Sequence, residues 1–232
     1  MALDGARARV RARLQQALDT AQQSRSLPTL PALSDVLPGG ALRAGATYAV
    51  TGSTSLVMAM MAGPSGDGGW CGVVGLPRFG AEAAAGLGVD LDRLVLVPDP
   101  DREWLNVVAA LLDTLTLVVV RPPGRVTAAE ASRLSARMRT RGAVLVATGP
   151  YAPAWPGAEA RLRVEQSNWS GLGTGAGYLT GRQATLTVAG RGTAGRPRRH
   201  LLWLPGPDGT VSTVSSTPAS VEVPRWHREA VG

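Results

Sequence analysis

The 232-residue chain contains no lysine, so all 24 of its basic side chains are arginine. This excludes the lysine of a nucleotide-binding loop. One cysteine, Cys71, excludes an internal disulfide, and two distant histidines, His200 and His227, exclude an ordinary zinc cluster. One Phe and an aromatic content of 4% leave the core to Ala, Val and Leu, which suits a sheet flanked by helices better than a small β-barrel. No apolar run reaches the ~20 residues of a membrane helix. The charged start "MALDGARARVRARL" lacks the apolar centre of a signal peptide, so a cytoplasmic, reducing environment and no membrane are expected.

What is present begins with charge. The formal net charge is +7 and the pI near 11.0. An all-arginine, Ala/Gly-rich composition also arises from genome composition, so the basic excess alone is modest support for nucleic acid. At 44% hydrophobic the chain is long enough for one well-buried core with tails.

Residues 3–24 carry Leu3, Val10, Leu14, Ala17, Leu18 and Ala21 on one stripe at helical spacing. Prolines at 28, 31 and 38 make the following stretch an extended connector. From Ala46 to Ala147 the pattern alternates. Strands are expected at 47–51, 71–75, 93–97, 115–120 and 143–147, and helices at 54–62, 80–87, 101–113 and 128–141. Apolar runs such as "LTLVVV" fit parallel strands covered on both faces, and Thr127 to Glu130 reads as a capping box with Gly142 closing the helix. The expected fold is therefore α/β, a doubly wound, mostly parallel sheet flanked by helices. Short β runs at 160–166, 183–190 and 200–206 should extend it as antiparallel strands, separated by a glycine loop at 170–177 and an arginine-rich turn. The organisation reads as an N-terminal helix and linker (1–29), a core (30–206) and a polar Ser/Thr/Pro-rich tail (207–232), expected to be disordered.

The stretch "YAVTGSTSLVMAMMAG" has the strand, glycine turn and helix of a phosphate-binding loop, G-x-x-x-x-G-K-[ST]. Gly52 is kept, but Ser53, Thr54 and Ser55 run directly into Leu56, and the second glycine and the lysine are missing. An Mg²⁺-dependent NTPase also needs an Asp after a later apolar strand, and here "LTLVVV" is followed by Arg121. The ordinary reading of Gly52–Ser55 is a β–α turn with a hydroxyl capping the helix, and it outweighs a retained phosphate site.

"LPALSDVLPGGALRAGATYAV" resembles the entry into RecA-type cores, and "LGVDLDRLVLVPDP" is closely similar to a signature of RecA itself. The resemblance spans roughly residues 30–205. It implies a RecA-like fold with antiparallel C-terminal strands and an N-terminal helix, and the position of the family's catalytic glutamate falls on Leu76. More narrowly, the degenerate nucleotide motifs, "GGWCGVVGLPRFG", "GLGTGAG" and the high arginine content resemble the actinobacterial ImuA-prime group. With the lysine missing and Arg121 and Leu76 at the two carboxylate positions, no ATPase activity and no cofactor are expected. The resemblance implies a role in SOS-induced mutagenic translesion synthesis as a partner of the Y-family-like protein ImuB and of an error-prone replicative-type polymerase α subunit, with localisation to the nucleoid when recruited. RecA-type proteins pack an N-terminal helix on a neighbouring subunit, so Val10, Leu14 and Leu18 are candidates for self-association or partner contact.

Arg191, Arg196, Arg198 and Arg199 are candidate contacts to DNA phosphates, or else a solvated hairpin. Arg225, Trp226 and Arg228 in the tail form a candidate docking motif, since Trp and Arg anchor many interfaces. The alternative function is a single-strand DNA-binding recombination modulator without ATPase activity.

Overall fold

The computed structural model describes residues 26–172, 177–190 and 197–214. The expected N-terminal helix, the tail motif, Arg191 and Arg196 lie outside the described residues. Nine strands form one sheet in the order β11-β10-β9-β8-β3-β7-β6-β4-β5. Its parallel part comprises β3 (Thr47–Thr51), β4 (Cys71–Val74), β5 (Leu94–Val97), β6 (Leu117–Val120), β7 (Val144–Thr148) and β8 (Ala160–Leu172). The antiparallel part adds β9 (Gly177–Gly190), β10 (Arg198–Trp203) and β11 (Ser212–Thr213). The fold is thus mixed α/β, with a large, mostly parallel sheet, flanking helices and antiparallel C-terminal strands.

The period-2 alternation of the strands divides the core between the two faces. On one face Tyr48 and Val50 of β3, Leu117 and Val119 of β6, and Val144 and Val146 of β7 meet helices α2 (Thr54–Gly66) and α3 (Ala81–Gly86). On the other, Ala49, Val118, Val120, Leu145 and Ala147 meet α4 (Trp104–Leu112) and α5 (Ala128–Arg141). The connections from β3 and β4 therefore cross one face, and those from β5 and β6 the other, as right-handed crossovers require when the strand order reverses.

Helix α2 is buried from Leu56 to Ala62 without a polar stripe, because it is covered on its outer side as well. The cover is the stretch read as an extended connector. In it Ser26–Leu27 (β1) pairs antiparallel with Leu42–Arg43 (β2), and Pro31–Ser34 forms a short helix, α1. Leu33, Val36 and Leu37 from this strap join the α2 core. A Cβ on Gly63 would lie 2.5 Å from the Pro28 carbonyl oxygen, so only glycine allows the approach. Tyr48 anchors the strap from below. Its hydroxyl accepts from Arg43 N at 2.8 Å, and burial raises its pKa.

Helix α5 spans the predicted residues, with the capping box of Thr127 and Glu130 and a left-handed Gly142. Helix α2 runs on to Gly66, through Pro64, beyond the predicted end at 62. The segment predicted as a helix from 101 opens as a 3-10 turn over Asp101–Glu103, where Asp101 has φ 49°, and becomes α-helical only at Trp104. The largest departure is in the antiparallel part. Residues 170–172 and 177, read as a glycine loop, belong to strands β8 and β9, which project as a ribbon. The sheet also continues past 206 to β11.

Candidate functional site

The crevice lies at the C-terminal ends of β3, β4, β6 and β7, where neighbouring connections leave toward opposite faces. In open α/β sheets that is where ligands bind. A cleft of about 470 Å³ is lined there by Thr51, Gly52, Ser53, Thr54, Leu76, Arg121, Thr148, Gly149, Pro150 and Pro153. A second cleft of about 410 Å³ adjoins it across Arg121 and Pro150 and brings in Asp99, Asp101 and Tyr151. The residues singled out at the degenerate loop, Gly52 to Thr54, therefore meet Leu76 and Arg121 in one place, although Leu76 and Arg121 come from other strands.

Strand β3 ends at Thr51 and α2 begins at Thr54, so only Gly52 and Ser53 connect them. Two residues cannot wrap a phosphate as the longer G-x-x-x-x-G-K loop does, because too few backbone N–H groups are free to converge on one anion. Gly52 has φ 83°, and a Cβ there would come within 2.4 Å of the Val164 carbonyl oxygen. The turn is therefore pressed against β8 instead of arching over the cleft. Ser53 is the N-cap. Its Oγ accepts from Leu56 N at 3.2 Å, satisfying one of the first-turn amides that would otherwise face the crevice. Thr54 and Ser55 begin the helix.

The hydroxyl of Ser53 also accepts a hydrogen bond from Arg182 Nη1 at 3.3 Å. Arg182 comes from β9, and its guanidinium carbon stands 5.9 Å from the centroid of the Trp169 ring, within cation–π range. An arginine thus stands against the degenerate loop of a lysine-free chain. No local pattern marks Arg182. It reaches Ser53 only because β9 pairs with β8, which pairs with β3.

Arg121 directly follows β6, donates its backbone N–H to Val74 O at 2.9 Å and is exposed. Its side chain lies over Gly149, where a Cβ would approach Arg121 Cγ to 2.9 Å. The backbone is equally tight on the other side, since a Cβ on Gly75 would meet the Arg121 carbonyl oxygen at 2.6 Å. Leu76 is half-buried and packs on the α2 core. The cleft at the loop therefore holds a guanidinium, hydroxyls and apolar carbon, and no carboxylate among its lining residues. Among the described residues no group of three or more His, Cys, Asp or Glu is placed to hold a metal ion. Gly149, Pro150, Pro153 and Tyr151 were not singled out in the sequence; the one signal was a glycine ending an apolar strand.

Arg198 and Arg199 lie in β10, not in a turn. As consecutive strand residues they point to opposite faces. Arg199 pairs with Glu165 at 3.4 Å, an exposed contact of little energetic weight. His200 is partly buried, which together with nearby Arg198 lowers its pKa. No described helix is long and apolar enough to cross a membrane.

Fold and cleft together define an α/β protein with an open crevice at the strand ends, a loop cleft lined by no carboxylate and a short β3–α2 turn. The chain belongs to the family described as the MT3502 N-terminal domain, whose model matches residues 35–157. It is also similar to the uncharacterized protein Rv3395c of Mycobacterium tuberculosis (strain ATCC 25618 / H37Rv), 34% identical over 168 residues, which cover 68% of this chain and 80% of that one. The family match includes every residue lining the loop cleft and stops short of β8 and β9.

Proposed function

We propose that the protein is a non-catalytic, RecA-like accessory factor of SOS-induced mutagenic translesion synthesis, of the ImuA-prime type. In this reading it binds an ImuB-type Y-family-like protein and an error-prone polymerase α subunit, and joins the nucleoid when replication forks recruit it. The observation that carries the reading is the two-residue β3–α2 connection facing Arg121. A nucleotide site of the RecA kind needs a phosphate cradle, an amine or its equivalent, and a carboxylate for Mg²⁺. Here the cradle is too short and the cleft holds a cation where the metal ligand belongs. A scaffold that keeps its sheet while losing these parts suits assembly. The mycobacterial relative is in keeping with an actinobacterial group.

The test uses the purified full-length chain. Capture of the ImuB-type protein is expected from wild type, reduced by Leu14→Asp or Trp226→Ala, with ATP turnover at background with or without single-stranded DNA. DNA-stimulated ATP turnover lost on Gly52→Asp, or no capture of either polymerase partner, sinks the proposal.

A further inference from the structure

Strand β8 pairs with β3 only from Ala160 to Arg163. It then runs on to Leu172, held by β9 on its other side. From Gln166 onward the side of β8 that faced β3 has no partner among the described strands, so its outward N–H and C=O groups form an open edge. Residues 165–172 and 177–180 are also exposed on both faces, and the two strands stand free of the body as a ribbon. The straight part of the edge is short. It begins after the bulge at Glu165 and ends at Ser170, because Gly171 at φ 102° forms a second bulge in which a Cβ would lie 2.1 Å from the Tyr178 carbonyl oxygen.

Open edges in soluble proteins are commonly guarded by charge or proline. This one carries neither. Between Glu165 and Arg182 the chain has no charged residue and no proline, although charged residues make up 18% of it. Gln166, Ser167, Asn168 and Ser170 supply neutral hydrogen-bonding groups around one large ring, Trp169, which is 49% exposed. The flanking charges are engaged within the chain. Glu165 pairs with Arg199 at 3.4 Å, and Arg182 lies on β9 against both the Trp169 ring and the Ser53 hydroxyl.

A strand that adds to this edge gains backbone hydrogen bonds and meets no charge. Two copies of the chain, each with net charge +7, repel one another over most of their surfaces, and an uncharged strand is where they come together most readily. A charged segment of another protein would find no counter-charge here. Identical strands in antiparallel register about a two-fold axis are also self-complementary, and with the axis near Asn168 and Trp169 the two rings face each other across the seam. We propose that Gln166–Ser170 of β8 pairs antiparallel with the same segment of a second copy, joining the two sheets into one. This contact is isologous and uses none of the apolar stripe of residues 3–24. It is independent of the adaptor reading, since it concerns strands outside the cleft.

The test is sedimentation equilibrium of the full-length chain, from low to high micromolar concentration. A reversible dimer is expected. Trp169→Glu sets two carboxylates against each other across the axis and leaves Arg182 beside each, and it is expected to raise the dimer Kd ~tenfold or more. Leu14→Asp leaves it unchanged. Cross-linking supplies a second readout, because the chain's one cysteine, Cys71, is buried. Ser167→Cys, Asn168→Cys and Ser170→Cys are made singly. Under mild oxidation at least one is expected to join two copies by a disulfide, whereas Asn106→Cys, exposed on α4, does not. Unaltered circular dichroism shows that each variant has folded. A monomer at every concentration, an undiminished dimer in folded Trp169→Glu, a dimer lost with Leu14→Asp, or disulfides at none of the three ribbon positions overturns the proposal.

Discussion

Arg182 of β9 donates from Nη1 to the Oγ of Ser53 at 3.3 Å, tying the antiparallel half of the sheet to the first turn of α2. Ser53 is at once the cap of that helix and the acceptor for a guanidinium 129 positions away in the chain. Its replacement by alanine removes both. Ser53→Ala is expected to cost about 1–2 kcal/mol, and each kcal/mol lowers the melting temperature of a domain this size by roughly 2–4 °C. A double-mutant cycle with Arg182→Ala, read by urea denaturation, should show coupling between the two. Additive effects would mean that the contact contributes nothing.

Gly52 and Gly142, both at positive φ, make a matched pair. Gly142, which closes α5 at φ 76°, has open space where a Cβ would go. Gly52 at φ 83° has the Val164 carbonyl oxygen 2.4 Å away. Gly142→Ala should cost about 1 kcal/mol for the backbone conformation alone, and Gly52→Ala about 2–4 kcal/mol once the collision is added. Equal losses in chemical denaturation would show that the β3–α2 turn is not pressed against β8.

Arg121→Asp places a carboxylate where a Mg²⁺ ligand would be needed. Phosphate release from ATP is nevertheless expected to stay at background, because the two-residue turn offers no cradle. Turnover above background in this single variant would contradict the account of the cleft.

Cys71 is fully buried on β4, and burial pushes its thiol up to about 12 from an ordinary 9.0. Thiolate is the reactive form, so alkylation near pH 8 should be slow in the native protein and fast once it is unfolded. Because the folded-state value is raised, the associated stability is fully present below about pH 9 and is lost as pH rises from there toward about 12. Rapid labelling of native protein near pH 8 would show that the strand opens locally.

The parallel half of the fold was legible because its signals are local. Apolar runs bounded by Gly and Pro gave β3 to β7 within a residue or two, and α5 carries its own start and stop in Thr127, Glu130 and Gly142. The ribbon was not legible. "SNWSGL" and "GYLTG" have neither alternation nor a buried face, and their pairing depends on each other alone. The connector read at 25–40 misled because its prolines exclude a long helix, and they tolerate the two-residue strand Ser26–Leu27 and the single helical turn Pro31–Ser34 that form there. In the cleft, Gly52, Leu76 and Arg121 were found by their order along the chain. Arg182 was not, because only the antiparallel pairing of β9 on β8 brings it to Ser53.

Gly63 and Pro28 meet so closely that the strap and α2 have no slack between them. Helix α2 has no polar side, and the strap is what covers its outer surface. Any shortened form of the protein that begins beyond Ser26 should aggregate rather than unfold reversibly. Searches for loss-of-function changes will therefore find residues 26–43 for reasons of solubility, and such changes should not be read as defects in partner binding.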